Sequence, residues 1–104
     1  MIFIFNNSVE YRICTKLIAR VLAGPYTLSV FDGEEWVLKN SKDMAQILAV
    51  MFSGESDKLR IRTLLGKFVG DILLLHGDGE NVIANWTDNQ DTNELIKEVH
   101  QAAS

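Results

Sequence analysis

Apolar residues recur along this chain at two spacings, one of three to four residues and one of two. Val9, Ile13, Leu17, Ile18, Val21 and Leu22 form the stripe of an amphipathic helix. Ser8 stands in N-cap position, and Gly24-Pro25 ends the helix, because proline cannot continue its hydrogen-bond ladder. A second helix is expected from a Ser41 cap, with Met44, Ile47, Leu48, Met51 and Phe52 repeating on one side. A stripe of Met and Phe at this spacing reads as core. Asp91 and Glu94 resemble a capping box for a third helix, which turns Leu95, Ile96 and Val99 inward.

Alternation of period two marks the strands. Residues 26–40 read as a hairpin closed by Phe31-Asp32-Gly33, a register that sets Leu28 opposite Trp36 and Tyr26 opposite Leu38. A slip of one residue would turn every side chain to the other face, so burial favours this pairing. Residues 59–65 and 68–76 read as a second hairpin around Gly66-Lys67, with Ile61 opposite Ile72, Leu59 opposite Leu74 and Arg62 opposite Asp71. After the loop at Gly77-Asp78-Gly79-Glu80-Asn81, residues 82–88 return as a strand, with Leu74 opposite Ala84 and Ile72 opposite Trp86. The short run Ile2–Phe5 suits an edge strand. The expected fold is a single α+β domain over residues 1–104. A hairpin and a three-stranded meander form one antiparallel sheet, and three helices pack on it. Its core should hold Leu28, Trp36, Leu48, Met51, Ile61, Ile72, Leu74 and Trp86.

The strand at residues 68–76 departs from simple alternation. Phe68, Ile72 and Leu74 point one way while Val69, Leu73 and Leu75 point the other, so both faces ask for cover. Leu64, Val69, Leu73, Leu75 and Ile83 together form a second apolar face. That patch exceeds the scatter expected on a monomer and implies a homodimer or an unidentified protein partner. A helix folded over this side is the competing arrangement.

Composition narrows the class without naming a function. The chain has 104 residues, 47% hydrophobic and 23% charged, which is a globular profile. The net charge of −4 is uneven: residues 78–104 carry −5 and residues 1–77 carry +1. Asp78, Glu80, Asp88 and Asp91 make an acidic surface that argues against nucleic acid there and allows an inhibitor imitating a phosphate backbone. Lys58, Arg60, Arg62 and Lys67 line one hairpin, where charge guarding a sheet edge is explanation enough. Nucleic acid is therefore not the expected partner. The opening apolar run is too short for a signal-peptide core and no run approaches a membrane span, so the cytoplasm is the expected compartment. The sequons at Asn6-Asn7-Ser8 and Asn85-Trp86-Thr87 carry no weight there.

Candidate chemistry is sparse. Gly77-Asp78-Gly79 begins like a dinucleotide fingerprint, but Val82 stands where the third glycine belongs, and the segment joins two strands. His76, His100 and Cys14 lack the paired spacing of zinc ligands, and the acidic loops lack the order of a calcium hand, so no metal and no cofactor is expected. Cys14 falls on the apolar side of the first helix, as a packed thiol. His76 is the only group that suggests a general base, and it would be the centre of any small hydrolase or transferase.

Two stretches resemble small uncharacterised bacterial proteins of prophage and mobile-element regions: residues 26–36 with Ser41-Lys42-Asp43, and residues 73–77 with 82–89. The resemblance spans about residues 9–95. It implies a bacterial cytoplasm and an accessory role, and it brings no activity or catalytic residue with it. The function expected from these readings is a small non-enzymatic binding or regulatory protein that acts through its surface.

Overall fold

Packing parity explains the order of the elements in the computed structural model, which describes residues 9–103. Helix α1 (Val9–Ala23) is followed by strands β1 (Tyr26–Phe31) and β2 (Trp36–Ser41), then helix α2 (Met44–Val50). Strands β3 (Ser56–Thr63) and β4 (Phe68–Leu75), a single 3₁₀ turn (Gly79–Asn81), strand β5 (Ile83–Trp86) and helix α3 (Gln90–Ala103) complete it. The five strands form one antiparallel sheet in the order β2-β1-β3-β4-β5. Helix α2 carries the chain back across the hairpin, so that β3 pairs with β1 rather than with β2. The fold is α+β, a hairpin joined to a meander. The suggested strand at Ile2–Phe5 and the Ser8 cap lie outside the described residues.

All three helices sit on one face of the sheet. Ile13, Leu17, Ile18 and Val21 of α1, Ile47 of α2, and Leu95, Ile96 and Val99 of α3 join Leu28, Val30, Leu59, Ile61, Ile72 and Leu74 in one buried cluster. The core expected from the sequence is largely present: Leu28, Met51, Ile61, Ile72 and Leu74 are buried, while Leu48 and Trp86 pack half-buried against them. Trp36 is the exception and lies on the opposite face, over Arg60.

Registers differ from the sequence reading wherever a turn is longer than the shortest one available. The first hairpin pairs Phe31 with Trp36, Val30 with Leu38 and Leu28 with Ser41, through two irregularities. Its loop is therefore Asp32–Glu35, four residues. The Asp32 carboxylate accepts the N–H groups of Glu34 (2.9 Å) and Glu35 (3.0 Å) and stabilises the longer turn. The second hairpin pairs Arg60, not Arg62, with Asp71, and Leu59 with Ile72. Thr63 closes this wider turn by bonding the backbone of Lys67 and Gly66, so Leu64 and Leu65 extend into solvent, Leu65 98% exposed.

A bulge between Ile61 and Arg62 then shifts the start of β4, so that Phe68 faces Arg62 and Gly70 faces Ile61. Phe68 leaves the core side and Val69 joins it. A second irregularity sets Leu74 opposite Ile83 instead of Ala84, which places Ile83 in the core, while Ile72 does oppose Trp86 as expected. The helix caps also move. Asp43, not Ser41, caps α2 by accepting from Ala45 and Gln46. Asn89, ahead of Asp91, caps α3 by accepting from Thr92 at 2.9 Å, and its amide donates to the Val69 carbonyl at 2.8 Å. Among the described residues, no helix is long and apolar enough to cross a membrane.

Candidate functional site

The face of the sheet turned away from the helices carries the outward members of each alternating strand. On β3 these are Lys58, Arg60 and Arg62, between the buried Asp57, Leu59 and Ile61. Ser29 of β1 lies beside Arg60, accepts the Asn40 N–H at 2.9 Å, and lines a groove together with Trp36 of β2. The Arg60 guanidinium sits 4.7 Å from the Trp36 ring centre and 5.5 Å from that of Phe68. Lys58 approaches Phe31 at 5.6 Å, and Phe31 and Trp36 are tilted neighbours at 5.2 Å. Cations over aromatic faces gain electrostatic attraction from the ring quadrupole.

Asp71 anchors this array. Its two carboxylate oxygens accept from Arg60 Nε at 2.8 Å and from the terminal nitrogen at 3.0 Å, a bidentate pair about a quarter exposed. That bond holds the guanidinium more firmly protonated than usual. A groove of about 370 Å³, lined by Ser29, Trp36, Lys39, Asn40, Arg60 and Arg62, runs along one side of the pair. A second groove of about 350 Å³ lies on the other side, lined by Lys58, Asp71, Leu73, Asn85, Trp86 and Thr87. Four cations against one carboxylate give this face a charge of +3, so the rest of the chain carries −7.

The residues singled out from the sequence are dispersed. Leu73 and Leu75 do stand on the open side of β4, half-buried and outside the core. Leu64 is 59% exposed in the β3–β4 turn, whereas Val69 packs on the core and Ile83 is buried in it. The continuous five-residue apolar face is thus interrupted, by the bulges in β4 and by the Arg60–Asp71 pair. Asp78, Glu80, Asp88 and Asp91 are all exposed, but the first two precede β5 and the last two follow it, at opposite ends of that strand.

His76 is not on this face. Its side chain is 5% exposed and lies between two buried carboxylates. Nε2 is 2.6 Å from Asp57 Oδ2, and Nδ1 is 3.8 Å from Glu10 Oε1. The Asp57 oxygen also accepts the Phe52 N–H at 3.0 Å, and the Phe52 ring packs on the imidazole at 4.7 Å. Glu10 Oε2 accepts from Gly77 at 2.8 Å and Gly79 at 3.2 Å, so the first turn of α1 is tied to the β4–β5 loop. Gly77 has φ +100°, which the loop needs in order to aim that N–H inward.

One helical turn from Glu10, Cys14 is fully buried, and burial together with Glu10 and Asp57 pushes its thiol up to about 12. It remains a thiol at neutral pH, the opposite of an activated nucleophile. Among the described residues, no three His, Cys, Asp or Glu side chains are arranged to hold a metal ion.

Sequence reasoning identified His76 but neither of its partners. Asp57 did leave a signal, since a carboxylate stands at a position whose neighbours of equal parity, Leu59 and Ile61, are core. Glu10 left none beyond its place beside the apolar stripe of α1. Compared with protein-family models, with curated proteins and with solved structures, the chain matches none.

Proposed function

We propose that this chain is a non-enzymatic binding protein whose recognition surface is the open face of its sheet. The observation that carries the reading is the gathering of Phe31, Trp36 and Phe68 with Lys39, Lys58, Arg60 and Arg62 on a face that no described helix covers. One exposed ring (Phe68), two half-buried ones (Phe31 and Trp36) and fixed cations on one sheet face are the parts of a recognition surface, and their charge selects an anionic partner. The candidate acid–base residues support binding over chemistry: His76 is enclosed between its partners, and Cys14 is a buried thiol.

A homodimer built on Leu73 and Leu75 is the second reading, favoured by their half-exposed side chains. Pairing two open faces about a two-fold axis would, however, set two surfaces of charge +3 against each other, which opposes association.

Retention on immobilised heparin at low salt tests the first reading. Despite its net charge of −4, the intact chain should be held and should elute with salt. The double variant Lys39→Glu/Arg62→Glu should pass through with an unchanged thermal melt. A wild-type chain that flows through unretained, or a double variant held as firmly, would sink the assignment. Sedimentation of the same samples reports the second reading, as a dimer that Leu73→Asp dissociates.

A further inference from the structure

We infer that the occupant of the open face is a single strand of nucleic acid, its bases stacked on Trp36 and Phe68 and its phosphates held by Lys39, Lys58 and Arg62. The inference rests on the open face being the recognition surface, and it names the chemistry of the partner.

Overall acidity weighs against nucleic acid when the chain is read as a sequence, but the fold separates the charges. Lys39 comes from β2, while Lys58, Arg60 and Arg62 alternate along β3, and the sheet brings all four to one side. Phosphate attraction is set by such local charge, not by the total. Asp71 is spent on Arg60; among the described residues, Lys39, Lys58 and Arg62 form no ion pair, and Arg62 donates only to the Gly66 carbonyl at 3.2 Å.

Shape selects the single strand. Planar groups lie in a row across the strands, from Trp36 through the Arg60 guanidinium to Phe68, with Phe31 beside Trp36. Aromatic and guanidinium planes on an open sheet accept splayed-out bases, which a duplex keeps stacked and out of reach. The two grooves flank the Arg60–Asp71 pair, so a strand crossing the sheet passes from one to the other. Asn40, on the wall of the first groove, places an amide within the path of a base edge. Asp32, Glu34 and Glu35 in the β1–β2 turn set the boundary of the site, since a polyanion is repelled there. An acidic protein segment would satisfy the cations but would leave the planar groups without a counterpart.

The test uses the intact chain and a fluorescein-labelled oligothymidine of about ten nucleotides, within the site sizes of sheet-borne single-strand binders. Anisotropy should show saturable binding, with the matched duplex and poly-glutamate each weaker by roughly tenfold or more. Trp36→Ala and Phe68→Ala should each weaken binding by roughly tenfold, the loss of one base–ring stack. Phe68 is already 45% exposed, so its variant leaves the fold undisturbed. Removing Lys39 or Arg62 should flatten the logarithmic salt slope by about 0.7 per charge.

Duplex bound as tightly as single strand would overturn the inference, because it would reveal charge attraction without stacking. Poly-glutamate bound as tightly would overturn it in favour of an acidic protein partner. Should the chain be retained on heparin yet ignore oligothymidine, the inference falls and the open-face reading stands. Should it do neither, both fall.

Discussion

Cys14 illustrates how a residue's surroundings decide its chemistry. Its side chain is fully buried, and two carboxylates, Glu10 and Asp57, oppose formation of a thiolate. The folded chain therefore keeps the thiol proton up to about pH 12, while the unfolded chain releases it near the ordinary value of about 8.5. Between those values the unfolded state binds fewer protons, so stability falls as pH rises, by about 1.4 kcal/mol per unit, and below about pH 8.5 this contribution is constant. Urea melts from neutral to alkaline pH should show that slope in the native chain. In Cys14→Ala it should be absent, and an identical alkaline slope in both would show that the thiol is not the group responsible. Asp32 shows the reverse at the surface: the backbone N–H groups of Glu35 and Glu34 hold its carboxyl below the usual range.

At the scale of elements, the close approach of β4 and α3 turns on one glycine. Gly70 faces the helix layer, where a Cβ would lie 2.2 Å from Thr92 Oγ1 and 3.3 Å from Thr87 Cβ. Thr92 is fully buried and its hydroxyl oxygen lacks a hydrogen-bond partner, so it cannot be moved into solvent to relieve the overlap. Gly70→Ala should cost about 1–3 kcal/mol, the range of overpacked cores. Adding Thr92→Ala removes the clashing oxygen and should restore part of that loss, a coupling visible in a double-mutant cycle of urea midpoints. Purely additive losses would mean that the two elements do not press together at this point.

For the whole molecule, the cluster of Glu10, Asp57 and His76 is the principal polar tie. It joins α1, β3 and the end of β4 behind the core, through the His76–Asp57 contact and the bonds from Gly77 and Gly79 to Glu10. His76→Ala should therefore destabilise the chain by about 1–3 kcal/mol, since it takes away the imidazole bonded to the buried Asp57 carboxyl. Differential scanning calorimetry would check this, and a loss below about 1 kcal/mol would show that water reaches the cluster. The same variant should leave heparin retention intact below its melting temperature, because the cluster and the open face lie on opposite sides of the sheet.

Local periodicity sufficed for what depends on near neighbours. The three helices, five strands and most of the core, from Leu28 to Leu74, follow from apolar spacing, because a stripe of either period must be buried against something. Registers were beyond it, since Thr63 and Asp32 widen their turns by side-chain hydrogen bonds that a shortest-loop rule does not contain. That difference moved Asp71 from Arg62 to Arg60, and the bulge exchanged Phe68 with Val69. The candidate site inherits both effects. Its cations and rings are written in the chain, but only the pairing of β1 with β3 brings Trp36 over Arg60 and separates +3 on one face from −7 elsewhere. Long-range strand order, which arises from the packing of helices on one side of the sheet, decided which side chains share the open face.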